Sequence, residues 1–123
     1  MNVHEAPIEI DPVFGCRLWT GRLDKDGYPL TDDGKRAHRV SFEDAAGPIP
    51  AEHELDHTCR RRRCVWRRHL EPVDRASNEK RKLYRARVRV VKCPVGHPLQ
   101  GNAAITPEGG RVCRTCIREG LAS

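Results

Sequence analysis

The chain carries six cysteines in 123 residues, and five of them fall in two short clusters: Cys59 with Cys64, and Cys93 with Cys113 and Cys116. This spacing constrains the fold more than any hydrophobic pattern does. Hydrophobic residues make up 37% of the chain and aromatic residues only 5%. A small chain of that polarity buries too little apolar surface to be held by a core alone, so a staple is expected. Disulfides or bound metal could supply it. Residues 1–12 include His4, Glu5, Glu9 and Asp11 and contain no apolar run, so no secretory signal is read there. No segment approaches membrane-spanning length. The expected setting is a reducing cytoplasm, where cysteine clusters hold metal more often than they form disulfides.

Ligand spacing sharpens that expectation. Cys93-x3-His97 followed by Cys113-x2-Cys116 supplies four donors in zinc-ribbon spacing. Cys59-x4-Cys64-x4-His69 supplies three, and tetrahedral zinc needs a fourth. Assigning Cys16 to that place uses all six thiols in two Cys3His sites. Disulfides and free buried thiols are the alternatives. Neither metal loop has much apolar content, so removing zinc should unfold them.

An α+β organisation is expected, with an N-terminal extension (1–14), a central domain (15–90) and a C-terminal zinc-binding tail (91–123). Residues 15–30 read as a hairpin about the Asp24-Lys-Asp-Gly27 turn. Residues 36–47 read as a short helix stopped by Gly47, with Val40 and either Ala37 or Phe42 inward. His53–His57 and His69–Val73 are strand candidates flanking an arginine-rich loop. A helix is expected from Asp74, as N-cap, to about Arg87. Its apolar face is thin (Ala76, Leu83, Ala86), while Asn78, Arg81, Lys82 and Arg85 share one side.

Charge is concentrated. Residues 60–92 hold 14 Lys/Arg against three acids, whereas residues 93–123 hold only three basic residues. Such a stripe suits a polyanion, most commonly nucleic acid; a merely solvated surface is the alternative. Arg60, Arg61, Arg62, Arg63, Arg67, Arg68, Arg81, Lys82 and Arg85 are the candidate DNA contacts. Trp66 could stack on a base or brace the loop.

His57 falls outside the zinc arithmetic. It follows Asp56, and Asn78 comes 21 residues later. A neutral histidine can deprotonate water, and Asp56 with Asn78 offers hard oxygen donors for Mg²⁺ or Mn²⁺. Phosphodiester hydrolysis fits those groups, although the triplet alone is a weak signal.

The run Leu55–Val73 ("LDHTCRRRRCVWRRHLEPV") followed by "SNEKR" resembles the HNH, or His-Me finger (ββα-metal), endonucleases. Its nearest likeness is to the zinc-containing phage HNH group and the His-Cys box homing nucleases. "GCRLWTG", "DGY", "RAHRVSFE", "GPIP" and the "CPVGH…CRTC" tail resemble their accompanying segments. The resemblance implies His57 as general base and Asp56 with Asn78 as ligands of one catalytic divalent ion. It also implies structural zinc on Cys16, Cys59, Cys64 and His69, and products ending in 5′ phosphate and 3′ hydroxyl. Duplex DNA is the implied substrate, and a homodimer would be needed to cut both strands efficiently.

Two departures stand out. Arg61, Trp66 and Arg67 occupy positions where relatives carry Asn, Asn and Pro, and the middle Asn of the HNH motif, with Trp66 or Arg61 in its place here, commonly braces the loop under the histidine. Pro29-Leu30 follows "DGY" in place of a Gly-Arg-like pair, so an arginine for the scissile phosphate must come from elsewhere, Arg36 or Arg39 being the candidates. His38 matches a family position and is read as a packing residue; His4 and His53 carry no argument. The rival function is a zinc-stapled DNA-binding or adaptor protein with an inactive site, and a third is a protein-interaction zinc ribbon.

Overall fold

The computed structural model describes residues 7–76 and 91–122. Among them the regular structure is three two-stranded antiparallel sheets, two complete helices and a 3-10 turn. The strands are β1 (Ile8–Ile10), β2 (Arg17–Trp19), β3 (His53–His57), β4 (Leu70–Asp74), β5 (Ala103–Ile105) and β6 (Arg111–Cys113). The helices are α1 (Ala37–Ala46) and α2 (Arg114–Ala122), and the 3-10 turn is Arg67–His69.

The first hairpin differs from the one expected over residues 15–30. β2 pairs backwards with β1, Ile8 facing Trp19 and Ile10 facing Arg17. Asp11 closes this turn: its N–H donates to the Cys16 carbonyl at 2.8 Å and its own carbonyl accepts from Gly15 N–H at 2.9 Å. The Asp24–Gly27 turn does form, but its arms meet only at a Leu23–Pro29 bridge. Pro29 has no N–H to extend that ladder.

The other edge of β2 holds the arginine loop. Trp19 N–H donates to Arg63 O and Val65 N–H donates to Arg17 O, both at 2.8 Å, which sets Leu18 opposite Cys64. This pairing brings Cys16, distant in sequence, beside the central cluster. β3 and β4 pair in full register from His53–Asp74 to His57–Leu70, and residues 75–76 turn helical directly after β4. The remainder of the expected helix to Arg87, including Asn78, Arg81, Lys82 and Arg85, lies outside the described residues.

α1 buries Ala37, His38 and Phe42, leaving Val40 half-buried. Gly47 ends the helix at φ 90°, where only glycine is at ease, and its N–H donates to Glu43 O at 2.9 Å. Ser41 ties the helix to the arginine loop by donating to Val65 O at 2.7 Å.

The C-terminal hairpin packs directly on the same loop. Thr106 Oγ1, buried, donates to Cys59 O at 2.9 Å and accepts from Gly110 N–H at 2.9 Å. Trp66 packs against both cysteine-centred cores, with Arg17 stacked at 3.9 Å from its ring centroid. It is a brace, one of the two roles read for it. No helix among the described residues is long and apolar enough to cross a membrane.

Gly110 marks the tightest interlock. A Cβ there would lie 2.4 Å from Thr58 O and from the Cys59 carbonyl carbon, both backbone atoms. Gly110→Ala should therefore lower unfolding stability by about 3 kcal/mol, at the upper end of overpacking effects. Gly27→Ala, where φ is +86° but no atom lies within 4 Å, should cost only about 1 kcal/mol. Urea unfolding of the two variants checks this; equal stabilities would mean that the hairpin does not sit tightly on the loop.

Candidate active site and metal centres

Two clusters of four ligands form, each with its donor atoms within 4.8 Å of one another: Cys16, Cys59, Cys64 and His69; and Cys93, His97, Cys113 and Cys116. A zinc ion with ordinary Zn–S and Zn–N bonds implies ligand–ligand edges of about 3.5–3.8 Å. In the first cluster His69 Nδ1 stands 3.5 Å from Cys16 Sγ and 3.7 Å from Cys64 Sγ. In the second, His97 Nδ1 stands 3.5, 3.6 and 3.4 Å from the sulfurs of Cys93, Cys113 and Cys116, and Cys93 and Cys116 are 3.8 Å apart. Both donor sets therefore fit structural zinc in size and chemistry.

The surroundings suit thiolates. His97 N–H donates to Cys93 Sγ at 3.2 Å, Asn102 Nδ2 to Cys113 Sγ at 3.6 Å, and Arg61 to Cys16 Sγ at 3.6 Å. Hydrogen bonds from Cys59 and Cys64 hold the Cys16 thiol far below its ordinary value, while burial and then the neighbouring Cys16 push Cys64 up to about 12. Burial, with the charges of Cys93 and Cys113, likewise pushes Cys116 up to about 12. Crowded, buried thiols resist ionising together, and a divalent cation is the counter-charge that permits it. His69 Nε2 is buried without a partner among the described residues, and the Trp66 ring sits edge-on at 4.6 Å between centroids.

His57 ends β3 and is 8% exposed. Its Nε2 lies 3.1 Å from the carbonyl oxygen of Cys64. A carbonyl can only accept, so Nε2 carries the proton and Nδ1 keeps its lone pair. Burial drives its pKa down to about 4, outweighing the opposing Cys64 hydrogen bond and Asp56 charge. The ring is neutral at pH 7, the state a general base needs.

A cleft of about 560 Å³ opens in front of this ring, and Asp56, His57 and His38 all line it. Arg36, Arg39, Arg60 and Arg62 surround it. The Tyr28 ring has Arg36 at 4.7 Å and Arg62 at 5.3 Å from its centroid, and Arg62 also donates to Asp26 O at 2.6 Å. Arg36 meets Asp24 at 3.5 Å. The charged groups are thus held near the cleft by aromatic faces and turn atoms.

The remaining arginines divide by role. Arg61 is a strut: it pairs with Asp11 and places Nε 3.0 Å from a Glu108 oxygen, joining the N-terminal turn to the C-terminal hairpin. Burial opposes the Arg61 charge, but the hydrogen bonds to Asp11 and Glu108 outweigh it and raise its pKa. Arg63 donates to Trp19 O at 2.9 Å and Arg68 to Glu119 at 2.7 Å on α2. Arg67 is half-buried and has no ion-pair partner among the described residues. Of the residues read as DNA contacts, Arg60 and Arg62 therefore border the cleft, whereas Arg61, Arg63 and Arg68 hold the fold together. Asp56 and His57 both line the cleft; Asn78 is not among the described residues.

Sequence reasoning passed over Tyr28 and Glu108 and assigned His38 to packing. "DGY" was a visible signal for Tyr28. Glu108 had none, because its place at the cleft rim depends on the C-terminal hairpin folding back over 47 residues to Arg61.

Among known proteins, residues 35–80 match the family model described as HNH endonuclease. That span runs from α1 through β4 and includes Asp56, His57 and three of the first four metal-site residues. No curated protein and no solved structure matches the chain.

If both clusters hold zinc, the purified protein should release two equivalents per chain under thiol modification, measured with a metallochromic dye. Cys16→Ser and Cys113→Ser should each release one. A single equivalent from the unmodified chain would rule out one of the two assignments.

Proposed function

We propose that the protein, whose residues 35–80 match the family model described as HNH endonuclease, is a metal-dependent endonuclease that hydrolyses phosphodiester bonds in duplex DNA. The observation that carries this reading is the His57–Cys64 hydrogen bond. It leaves Nδ1 unprotonated, on a neutral ring, facing a cleft ringed by arginines. His57 takes the proton of the attacking water through Nδ1, and the hydroxide formed displaces the 3′ oxygen in line. Products end in 5′ phosphate and 3′ hydroxyl.

Asp56 and Asn78 are the proposed ligands of the catalytic Mg²⁺ or Mn²⁺, in a ββα-metal core made from β3, β4 and the helix that starts at residue 75. Asp56 supports this by lining the cleft beside His57. When bound, the ion supplies charge stabilisation at the phosphorus and the leaving oxygen. Arg36 and Arg62, flanking Tyr28, take the place of the arginine that "DGY" lacks after it. The Cys64 carbonyl supports His57 directly, so loss of the middle Asn, with Trp66 or Arg61 in its place, does not leave the imidazole unbraced. This favours an active enzyme over the DNA-binding adaptor. A homodimer is proposed for cutting both strands.

Supercoiled plasmid incubated with Mg²⁺ or Mn²⁺ should be nicked. His57→Ala should lower cleavage by about 10²- to 10⁴-fold, the usual range for losing a general base, with zinc content and DNA retention unchanged. Wild-type protein that binds DNA but never nicks it would establish the adaptor instead.

DNA affinity should fall steeply with salt. Arg62→Ala should reduce the slope of log affinity against log salt by about one, as expected when one phosphate contact is lost. Filter binding across a salt series measures this, and an unchanged slope would remove Arg62 from the interface.

A further inference from the structure

The cleft contains a second imidazole that the reading above does not use. His38 lies in the first turn of α1, is 3% exposed and lines the same cleft as His57. The two ring centroids are 5.0 Å apart with planes inclined at 44°, and Tyr28 stacks on the far ring at 5.6 Å. His38 Nδ1 is sealed in the interior without a hydrogen-bond partner among the described residues. Nε2 is therefore the nitrogen left to the cleft.

A residue kept here only for packing has no need of nitrogens, and a buried unpaired nitrogen is a standing cost that an apolar side chain avoids. Its retention is explained if the ring serves a ligand in the cleft. Resting on the nuclease reading, we propose that His38 holds the attacking water in front of His57 through a hydrogen bond from its cleft-facing Nε2. Rings this close, both lining the cleft, can share one water at their edges, bonded to a nitrogen of each. His57 Nδ1 takes one of its protons, a lone pair of the oxygen attacks phosphorus, and the bond from phosphorus to the 3′ oxygen breaks, the 3′ oxygen leaving with the bonding pair and taking a proton from solvent water. His38 donates a hydrogen bond throughout and neither gains nor loses a proton. Burial first, then the neighbouring His57, Arg36 and Arg39, lower its pKa to about 3, so the ring stays neutral.

The test is steady-state cleavage of a DNA duplex by full-length His38→Leu and His38→Gln, with zinc content and DNA retention measured on both. Leu removes the nitrogens; Gln restores an N–H donor of similar reach. Expected results are a kcat about 10- to 100-fold lower for Leu with KM unchanged, an effect of lost orientation, and partial recovery with Gln. Leu cleaving like wild type would overturn the proposal. So would a loss confined to KM, loss of zinc in the variants, or Gln no better than Leu. If His38→Phe, a bulkier apolar control, behaves as Leu does, packing volume is removed as the cause. A wild type that never cleaves overturns the nuclease reading itself, whereas a cleaving wild type with an unaffected His38→Leu overturns only the role of His38.

Discussion

Cys64 does two jobs that depend on each other. Its sulfur belongs to the first ligand cluster, and its carbonyl oxygen receives the His57 Nε2 proton. Anything that fixes the sulfur also fixes the carbonyl, and with it the tautomer and direction of the imidazole. A short loop with four consecutive arginines, which repel one another, cannot hold that geometry by itself. The ligand cluster and the Leu18–Cys64 bridge hold it from two sides.

The C-terminal hairpin adds a third support, and this makes the tail more than an appendage. Thr106 and Gly110 seat on the Cys59 backbone, Glu108 receives Arg61, and Glu119 receives Arg68. Trp66 lies between the two ligand clusters, with Gly15 and Gly120 leaving room for its ring. The apolar content of the chain is low, so these polar and metal-site contacts take the place of a large continuous core.

The described arginines around the site fall into two sets by what they touch. Arg61, Arg63 and Arg68 spend their donors on protein atoms, and substituting them should be felt as altered packing. Arg36, Arg39, Arg60 and Arg62 border the cleft, Arg36 also meeting Asp24 and Arg62 also donating to Asp26 O. Two of the four, Arg36 and Arg39, come from the sequence outside the stripe, so charge density along the chain was an incomplete guide to charge around the site.

The ligand spacings, the β3 and β4 strands, and α1 with its Gly47 stop were legible in the sequence. Each depends on neighbours a few residues away: ligand geometry, strand alternation and helix termination are local constraints. Tertiary structure alone decided the rest. It paired β2 with β1, joined Arg61 to Asp11 and Glu108, and brought His38 within 5.0 Å of His57. Those outcomes depend on which distant segments share an edge or a cavity. Spacing along a chain carries no record of that, because many closures of the same loops satisfy the same local rules until packing selects one.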